Sequence, residues 1–374
     1  MNRRPSQSRT GFDSFSPQHT AHFKAAQPGG EFFEPKPRAS LGRRLLLALL
    51  LMTLIALAVN LAVNQFVQVA RVTVPIRRMD PAFEGYTLLQ ISDLKGSTYG
   101  SNQALIRFAL QNEDFDAVVF TGDMVSSRGN AQPLYALIEM LRELKPDAPI
   151  YMIPGDKDPL PASMSYATGG SPFAPWVLGA KQRGGQLLSA PVQIERDGHT
   201  LWLTTSALLS LDMDTMQAQF ERQYLDALAD GDENAIELTT YNLQWLTETR
   251  NARAKMTDAD VYIALTHVPP ADEELESAYP GSLRERVHLV LCGHYQGGLI
   301  RLPFAGALFI PSQNLPLYGL LPGADTYFGL TRKGRTYLYV SPGLGGNDGL
   351  YPLPFFRLFN PPTVSLISLT TSSL

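Results

Sequence analysis

The chain has 374 residues, of which 18% are charged and 44% hydrophobic, with a formal net charge of −4. That balance leaves no basic footprint for nucleic acid, and the length exceeds a typical single domain. The lone cysteine, Cys292, excludes an intramolecular disulfide, and its place in the apolar run Val287–Cys292 reads as a buried, inert thiol.

In chain order, residues 1–44 carry eight Arg and Lys against three Asp and Glu, a local charge of 8 − 3 = +5. The stretch is rich in Ser, Gln and Pro and has no apolar period, which predicts a disordered basic tail. Residues 45–64 follow, apolar over Leu45–Val63 except for Thr53 and Asn60, and about 20 such residues cross a bilayer. We read them as one transmembrane signal-anchor helix. The other readings are a cleaved signal, which the long polar stretch ahead of the apolar run argues against, and a buried core helix. By the positive-inside rule the amino terminus stays in the cytoplasm, and the rest of the chain lies outside it, in a periplasm, at a cell surface or in a lumen. No Asn-x-Ser/Thr sequon occurs, so a single-pass protein of a bacterial cell membrane fits best.

Residues 65–85 look like a lead-in with a short strand, Arg71–Ile76, before a turn at Asp80-Pro81. From residue 86 to 374 strands and helices alternate, which implies right-handed crossovers and an α/β fold with a parallel sheet. Buried parallel strands read as continuous apolar runs, here Tyr86–Ile91, Ala117–Thr121, Ile150–Ile153, Val261–Leu265 and Val287–Leu291. Helices are expected over Asn102–Gln111, with Leu105, Phe108 and Ala109 on one face, and over Gln132–Leu144. Pro191–Glu195 and Thr200–Thr205, joined by Arg196-Asp197-Gly198, read as an antiparallel hairpin. A helical hairpin insertion over about 211–257 joins Met213–Leu228 to Glu233–Ala254 across Asp230-Gly231-Asp232. Its apolar positions are expected to pack on the body, with a partner-binding or membrane-facing surface as the sharper reading.

Each core strand runs out into a short polar peptide: Ser92-Asp93-Leu94-Lys95, Gly122-Asp123, Gly155-Asp156-Lys157-Asp158, Thr266-His267 and Gly293-His294-Tyr295-Gln296. Side chains past the carboxyl ends of parallel strands converge on one rim, where open α/β sheets bind ligands. Carboxylates and imidazoles gathered there suit a hard-to-borderline divalent cation. Other chemistries have no motif to stand on, since G-x-S-x-G, G-x-x-x-x-G-K-[ST] and C-x-x-C are all missing. The glycine-rich Gly343–Gly349 is not followed by a helical pattern and reads as a turn bordering the cleft.

The order of these peptides resembles the calcineurin-like metallophosphoesterases, particularly their membrane-anchored bacterial branch, over roughly Arg71–Leu374. The family pattern is D-x-H, G-D, G-N-H-[DE], a lone H and G-H-x-H. Pro81–Gly85 (PAFEG) and Tyr337–Gly343 (YLYVSPG) look like that branch as well. The resemblance implies a four-layer αββα sandwich, preceded here by the one transmembrane helix. It also implies two metal ions, about 3.5–4 Å apart, that clamp a phosphoryl group.

Carried over residue by residue, the second metal position holds Asp123, Asp156, His267 and His294, all capable ligands. The first keeps Asp93 and Asp123 but has Lys95 and Gln296 where the family has histidines. The histidine that would contact the scissile phosphate is Lys157, able to hold a phosphate as a point charge but, with a reference pKa of about 10.4, a poor proton donor at neutral pH. Asp93, Asp123 and Asp156 against Lys95 and Lys157 leave a formal −1, room for one divalent ion and not for two. The hypothesis is that the Lys95 ammonium sits where the first ion would, paired with Asp93 and Asp123.

The expectation is therefore a membrane-anchored phosphoester hydrolase with a reduced site holding one Mn, Zn or Fe ion, or none. Lys157 and Lys95 are its candidate catalytic residues, and Tyr295, Gln296, Asp158 and Asn347 its candidate cleft residues. The alternative is a catalytically lapsed binding module for a phospho-ligand or an envelope partner.

Overall fold

The structure is a computed structural model that describes residues 40–64, 66–167, 171–276, 286–298, 300–302, 306–310, 320–323, 327–345 and 357–372. Asn347 and the tail up to residue 39 lie outside the described residues. Met1–Thr53 and Leu54–Leu374 form separate compact units. After α1 (Leu41–Val63) come β1 (Gln68–Arg77), β2 (Thr87–Ile91), α2 (Ala104–Leu110), β3 (Ala117–Thr121), α3 (Gln132–Leu144), β4 (Ile150–Ile153), α4 (Pro175–Gln182) and β5 (Gly185–Leu187). The chain continues through β6 (Val192–Arg196), β7 (His199–Thr205), the single turn α5 (Ser206–Leu209), α6 (Met213–Asp230), α7 (Glu233–Lys255), β8 (Val261–Leu265), α8 (Asp272–Glu276) and β9 (Leu289–Cys292). The last strands are β10 (Ile300–Leu302), β11 (Gly306–Phe309), β12 (Gly329–Lys333), β13 (Thr336–Val340) and β14 (Thr363–Ser372).

Two six-stranded mixed sheets, ordered β1-β14-β2-β3-β4-β5 and β12-β13-β9-β8-β7-β6, carry the core. In the first, β2 to β5 are parallel and β14 runs against β2. In the second, β13, β9, β8 and β7 are parallel, with β12 and β6 as antiparallel edges. The strand period of two divides every apolar run between two cores. Val119 and Ile153 of the first sheet meet Ile263 and Leu291 of the second in a shared central core. Val118, Phe120 and Met152 turn outward under α2, α3 and α4. Tyr262, Ala264 and Val290 pack outward in a third cluster, beneath Ala252 of α7 and Leu275 of α8. Helix, sheet, sheet and helix are the four layers expected, each buried Val, Leu or Ile contributing about 1.5–3 kcal/mol.

The hairpin of β6 and β7 turns on Asp197 and Gly198, with φ of 52° and 79°, the backbone that two-residue hairpins require. In α6 and α7 the caps are Asp212 and Asp232, whose side chains accept from Thr215 N and Ala235 N. Ala227 and Leu246 of this hairpin are buried, while Leu225 and Leu228 are exposed. The face expected for α2 is corrected: Ile106 and Leu110 are buried, and Phe108 is 68% exposed. Asn102 and Gln103 adopt positive φ, so the helix starts late and its inward arc is rotated from the one expected. The strand expected at Arg71–Ile76 is the longer β1, an outer strand of the first sheet paired in parallel with β14.

Candidate metal and phosphoryl site

The loops after β2, β3, β4, β8 and β9 meet at one end of the two sheets. Asp93 N donates to Gly122 O at 3.1 Å, and Lys95 N donates to Asp123 O at 2.8 Å. Gly293 N donates to His267 O at 3.0 Å, and Gln90 Nε2 reaches across the sheets to Cys292 O at 2.9 Å. Asp93, Lys95, Asp123, His294 and Gln296 all have φ between 50° and 68°, a left-handed conformation that costs a non-glycine residue of order 1–3 kcal/mol. Two close approaches demand glycine: a Cβ on Gly122 would sit 2.7 Å from His267 Nδ1, and one on Gly293 would sit 1.9 Å from Ser92 Oγ.

Asp156 Oδ1 lies 3.0 Å from His267 Nε2 and 3.3 Å from His294 Nδ1, and the two imidazole nitrogens are 3.3 Å apart. His267 Nε2 is also 3.3 Å from Asp123 Oδ1. Ligand atoms held about 2.0–2.1 Å from a tetrahedral zinc would be about 3.3 Å from one another, a spacing that Asp156, His267 and His294 match as one group of three, while Asp123 gathers with Asp93 and His267. His267 Nδ1 lies 2.8 Å from Thr121 O, which fixes that nitrogen as the donor and leaves Nε2 with its lone pair toward the site. Three of the residues expected at the second metal position thus gather as one group, and Asp123 reaches that group through its 3.3 Å approach to His267.

The first metal position is different. Asp93, Asp123 and His267 do gather within ligand range of one another, and among the described residues Asp93 Oδ1 and Asp123 Oδ2 accept no hydrogen bond, the latter having only an ion pair. The other oxygen of Asp93 accepts from Ser92 Oγ at 2.6 Å and His294 N at 3.1 Å. Into this space reaches Lys95, its side chain 5% exposed and its Nζ 3.2 Å from Asp123 Oδ2. Gln296 is buried as well, and its carbonyl accepts from Arg357 Nη2 and Asn360 Nδ2. The ammonium thus sits beside the carboxylate that the two expected metal positions share.

Charge follows the geometry. Hydrogen bonds from His267 and His294 hold the Asp156 carboxyl far below the usual carboxylate range. Burial opposes a charge on His267, but its bonds to Asp123 and Asp156 and the negative field of Asp93 and Asp123 outweigh burial and push it up to about 11. Burial would raise Asp123, and His267 and Lys95 together bring it below the ordinary value instead. Without a metal ion, the cluster takes a proton on His267 in its place.

Lys157 stands at the open side, 49% exposed, its Nζ 3.1 Å from Asp156 Oδ2 and its backbone N donating to Asp123 Oδ1 at 2.9 Å. The residues expected to line the cleft are placed otherwise. Tyr295 is 5% exposed in the outer core of the second sheet, its ring beside that of His294, because the turn after β9 directs it inward. Asp158 is half-buried and accepts from Gly155 N at 2.8 Å and Val125 N at 2.7 Å, closing the loop that carries Asp156.

One residue escaped the sequence reading altogether. Arg357 is 1% exposed and gives its guanidinium to five carbonyls: Asn360, Gly343, Gly345, Gln296 and Pro342. Gly345 N in turn donates to Asp93 O, so the guanidinium braces the loop that bears Asp93. The available signal was its solitude, for no other charged residue follows Asp348.

The family model for calcineurin-like phosphoesterase matches residues 86–296, more than half of the chain. The uncharacterized metallophosphoesterase YkuE of Bacillus subtilis is 26% identical over 268 residues, 70% of this chain and 73% of its own. Among solved structures, the phosphopantetheinyl hydrolase PptH of Mycobacterium tuberculosis superposes at a TM-score of 0.35 with 11% identity, over 74% of this chain and 96% of that one. TT1561 of Thermus thermophilus gives 0.34 and 11%, over 70% and 90%. Those two superpositions are too loose to bear on the site. The loops that carry Asp93, Asp123, Asp156, His267 and His294 all fall inside the matched span, and the chain belongs to the calcineurin-like phosphoesterase family.

Proposed function

We propose that the protein is a membrane-anchored phosphoester hydrolase with a one-metal site, in which the Lys95 ammonium takes the place of the family's first ion. The observation that carries this reading is the three-atom group of Asp156 Oδ1, His267 Nε2 and His294 Nδ1, 3.0–3.3 Å apart, with Asp123 Oδ1 3.3 Å from His267 Nε2 and a buried lysine beside Asp123. Manganese, zinc and iron all suit two imidazoles and two carboxylates. A divalent ion there supplies Lewis-acid polarisation of a phosphoryl oxygen.

The chain's own residues do the rest. Lys95 neutralises Asp123 and keeps the rim from repelling a phosphate. Lys157, exposed at the mouth, holds a phosphoryl oxygen as a point charge and leaves Asp156 for it. No imidazole stands where the family protonates its leaving group. Substrates with good leaving groups are therefore favoured. The basic tail and the apolar α1, whose residues are exposed apart from Ala56 and Asn60, support a single span with the phosphoesterase domain outside the cytoplasm.

Full-length protein in detergent, assayed on aryl phosphate mono- and diesters with added manganese, zinc or iron, tests this. Metal-dependent turnover that His267→Ala abolishes is the expected result. A silent wild type, awakened by Lys95→His, Lys157→His and Gln296→His together, would establish instead that the scaffold is a lapsed binding module.

A further inference from the structure

The register of the first sheet places the carboxyl end of α1 near the site. Gln68, the first residue of β1, pairs with Thr363, and two residues along β14 Ser365 pairs with Gln90, next to Ile91 at the carboxyl end of β2. The chain leaving α1 therefore enters the sheet at the rim that carries the site, and β1 runs away from it. The last turns of α1 are tied to that rim: Asn60 Nδ2 and Asn64 Nδ2 both donate to Arg357 O at 2.6 Å, and Phe359 N donates to Asn60 Oδ1 at 2.8 Å. Asn60 is the one buried residue of α1, and it lies three residues, about 4.5 Å of rise, before the helix ends. A polar side chain near the end of an apolar span with named partners is more than a topological accident.

From Arg357 the contacts spread over an apolar surface. Leu358 bridges Ile300, and Arg301 N donates to Leu358 O; β10 pairs with β11, and Leu321 N donates to Leu308 O. Phe66, Leu302, Leu320, Leu321, Phe328 and Phe359 are all exposed; four of them lie in or directly joined to this network, Phe328 joins it beneath the Arg301 guanidinium, and Phe66 lies just beyond the helix. Between Leu302 and Ala324 the sequence has no charged residue. Soluble surfaces seldom concentrate exposed apolar side chains as these six do, and their continuity with the end of a span names the occupant.

We propose that the rim bearing the metal cluster lies against the bilayer, seated by this apolar collar around the end of α1, so that the site opens onto the headgroup layer and its substrate class is the phosphoester of a membrane lipid. The inference rests on the anchored-hydrolase reading. Arg357 links the two halves, its backbone holding α1 and its guanidinium bracing the loop under Asp93.

The test uses the full chain in liposomes of phosphatidylethanolamine and phosphatidylglycerol, labelled with an environment-sensitive fluorophore at Ile55→Cys, Leu302→Cys, Leu321→Cys or Asp197→Cys. Cys292 is fully buried, so the wild type serves as the unlabelled blank. Asp197 is exposed in the turn between β6 and β7, at the end of the sheets away from the site. Spin-labelled lipid is expected to quench Ile55, Leu302 and Leu321 by about half, with Asp197 unaffected. Quenching at Ile55 with Leu302 and Leu321 no different from Asp197 would overturn the collar and leave the anchor standing. No quenching at any position would overturn both. The metal content of the same samples reports separately on the hydrolase reading.

Discussion

Replacing Lys95 by methionine keeps the volume of the side chain and removes its charge. The ammonium lies 3.2 Å from Asp123 Oδ2, with the two side chains 5% and 1% exposed. At an effective dielectric constant of about 20 that separation corresponds to about 5 kcal/mol of attraction, and breaking a buried pair by deleting one partner costs about 3–5 kcal/mol. Asp123 keeps Lys157 N at 2.9 Å and His267 at 3.3 Å, which places the loss at the low end, about 3 kcal/mol. For a chain of this size that lowers Tm by about 4–5 °C. Thermal unfolding of the full chain in detergent, followed by intrinsic fluorescence with a chelator present, reads this directly. Added manganese is expected to raise Tm more in the variant than in the wild type, because Asp93 Oδ1 and Asp123 Oδ2 then face a space free of the ammonium. A variant whose Tm stays within about 1 °C of wild type, with or without metal, would refute the ion-substitution argument.

Metal and proton compete for His267. Its pKa is raised from 6.5 to about 11, so in the metal-free protein its stabilising contribution is complete below about pH 6.5 and is lost as pH rises through about 11. Metal binding needs the neutral ring, so calorimetric titration near pH 8 in two buffers of different protonation enthalpy is expected to register about one proton released per ion, and none would contradict the coupling. Arg357→Leu strips a donor from each of five buried carbonyls, and Arg357→Lys, lacking the planar fork, is expected to rescue little; denaturant unfolding of both is expected to fall by about 3 kcal/mol or more. In Gly293→Ala the new methyl would meet Ser92 Oγ, with a cost of about 1–3 kcal/mol and displacement of His294; metal affinity unchanged from wild type would show that the close approach is dispensable.

The parallel strands were legible because both faces of β3, β4, β8 and β9 are buried, which leaves unbroken apolar runs whose ends mark the site. The positions of the candidate ligands were legible for the same reason, each falling two or three residues past such a run. Helix α3 matched its apolar period end to end, whereas α2, seven residues long after a left-handed start, offered two arcs that sequence could not separate. The pairing of β1 with β14 joins residues nearly 300 positions apart, and no local pattern encodes it. Arg357 was missed because its partners are all backbone carbonyls, which carry no residue identity. Tyr295 and Asp158 looked like cleft residues from proximity in sequence, but a turn of left-handed residues sends the first inward and a pair of amides engages the second.

The central claim is that the rim holds one divalent ion because a lysine occupies the place of the other. Elemental analysis of purified full-length protein, loaded with manganese or zinc and freed of excess, tests it most directly alongside His267→Ala. The account predicts one ion per chain in the wild type and none in the variant. Two ions per chain at full occupancy, or none at all in the wild type, would contradict it.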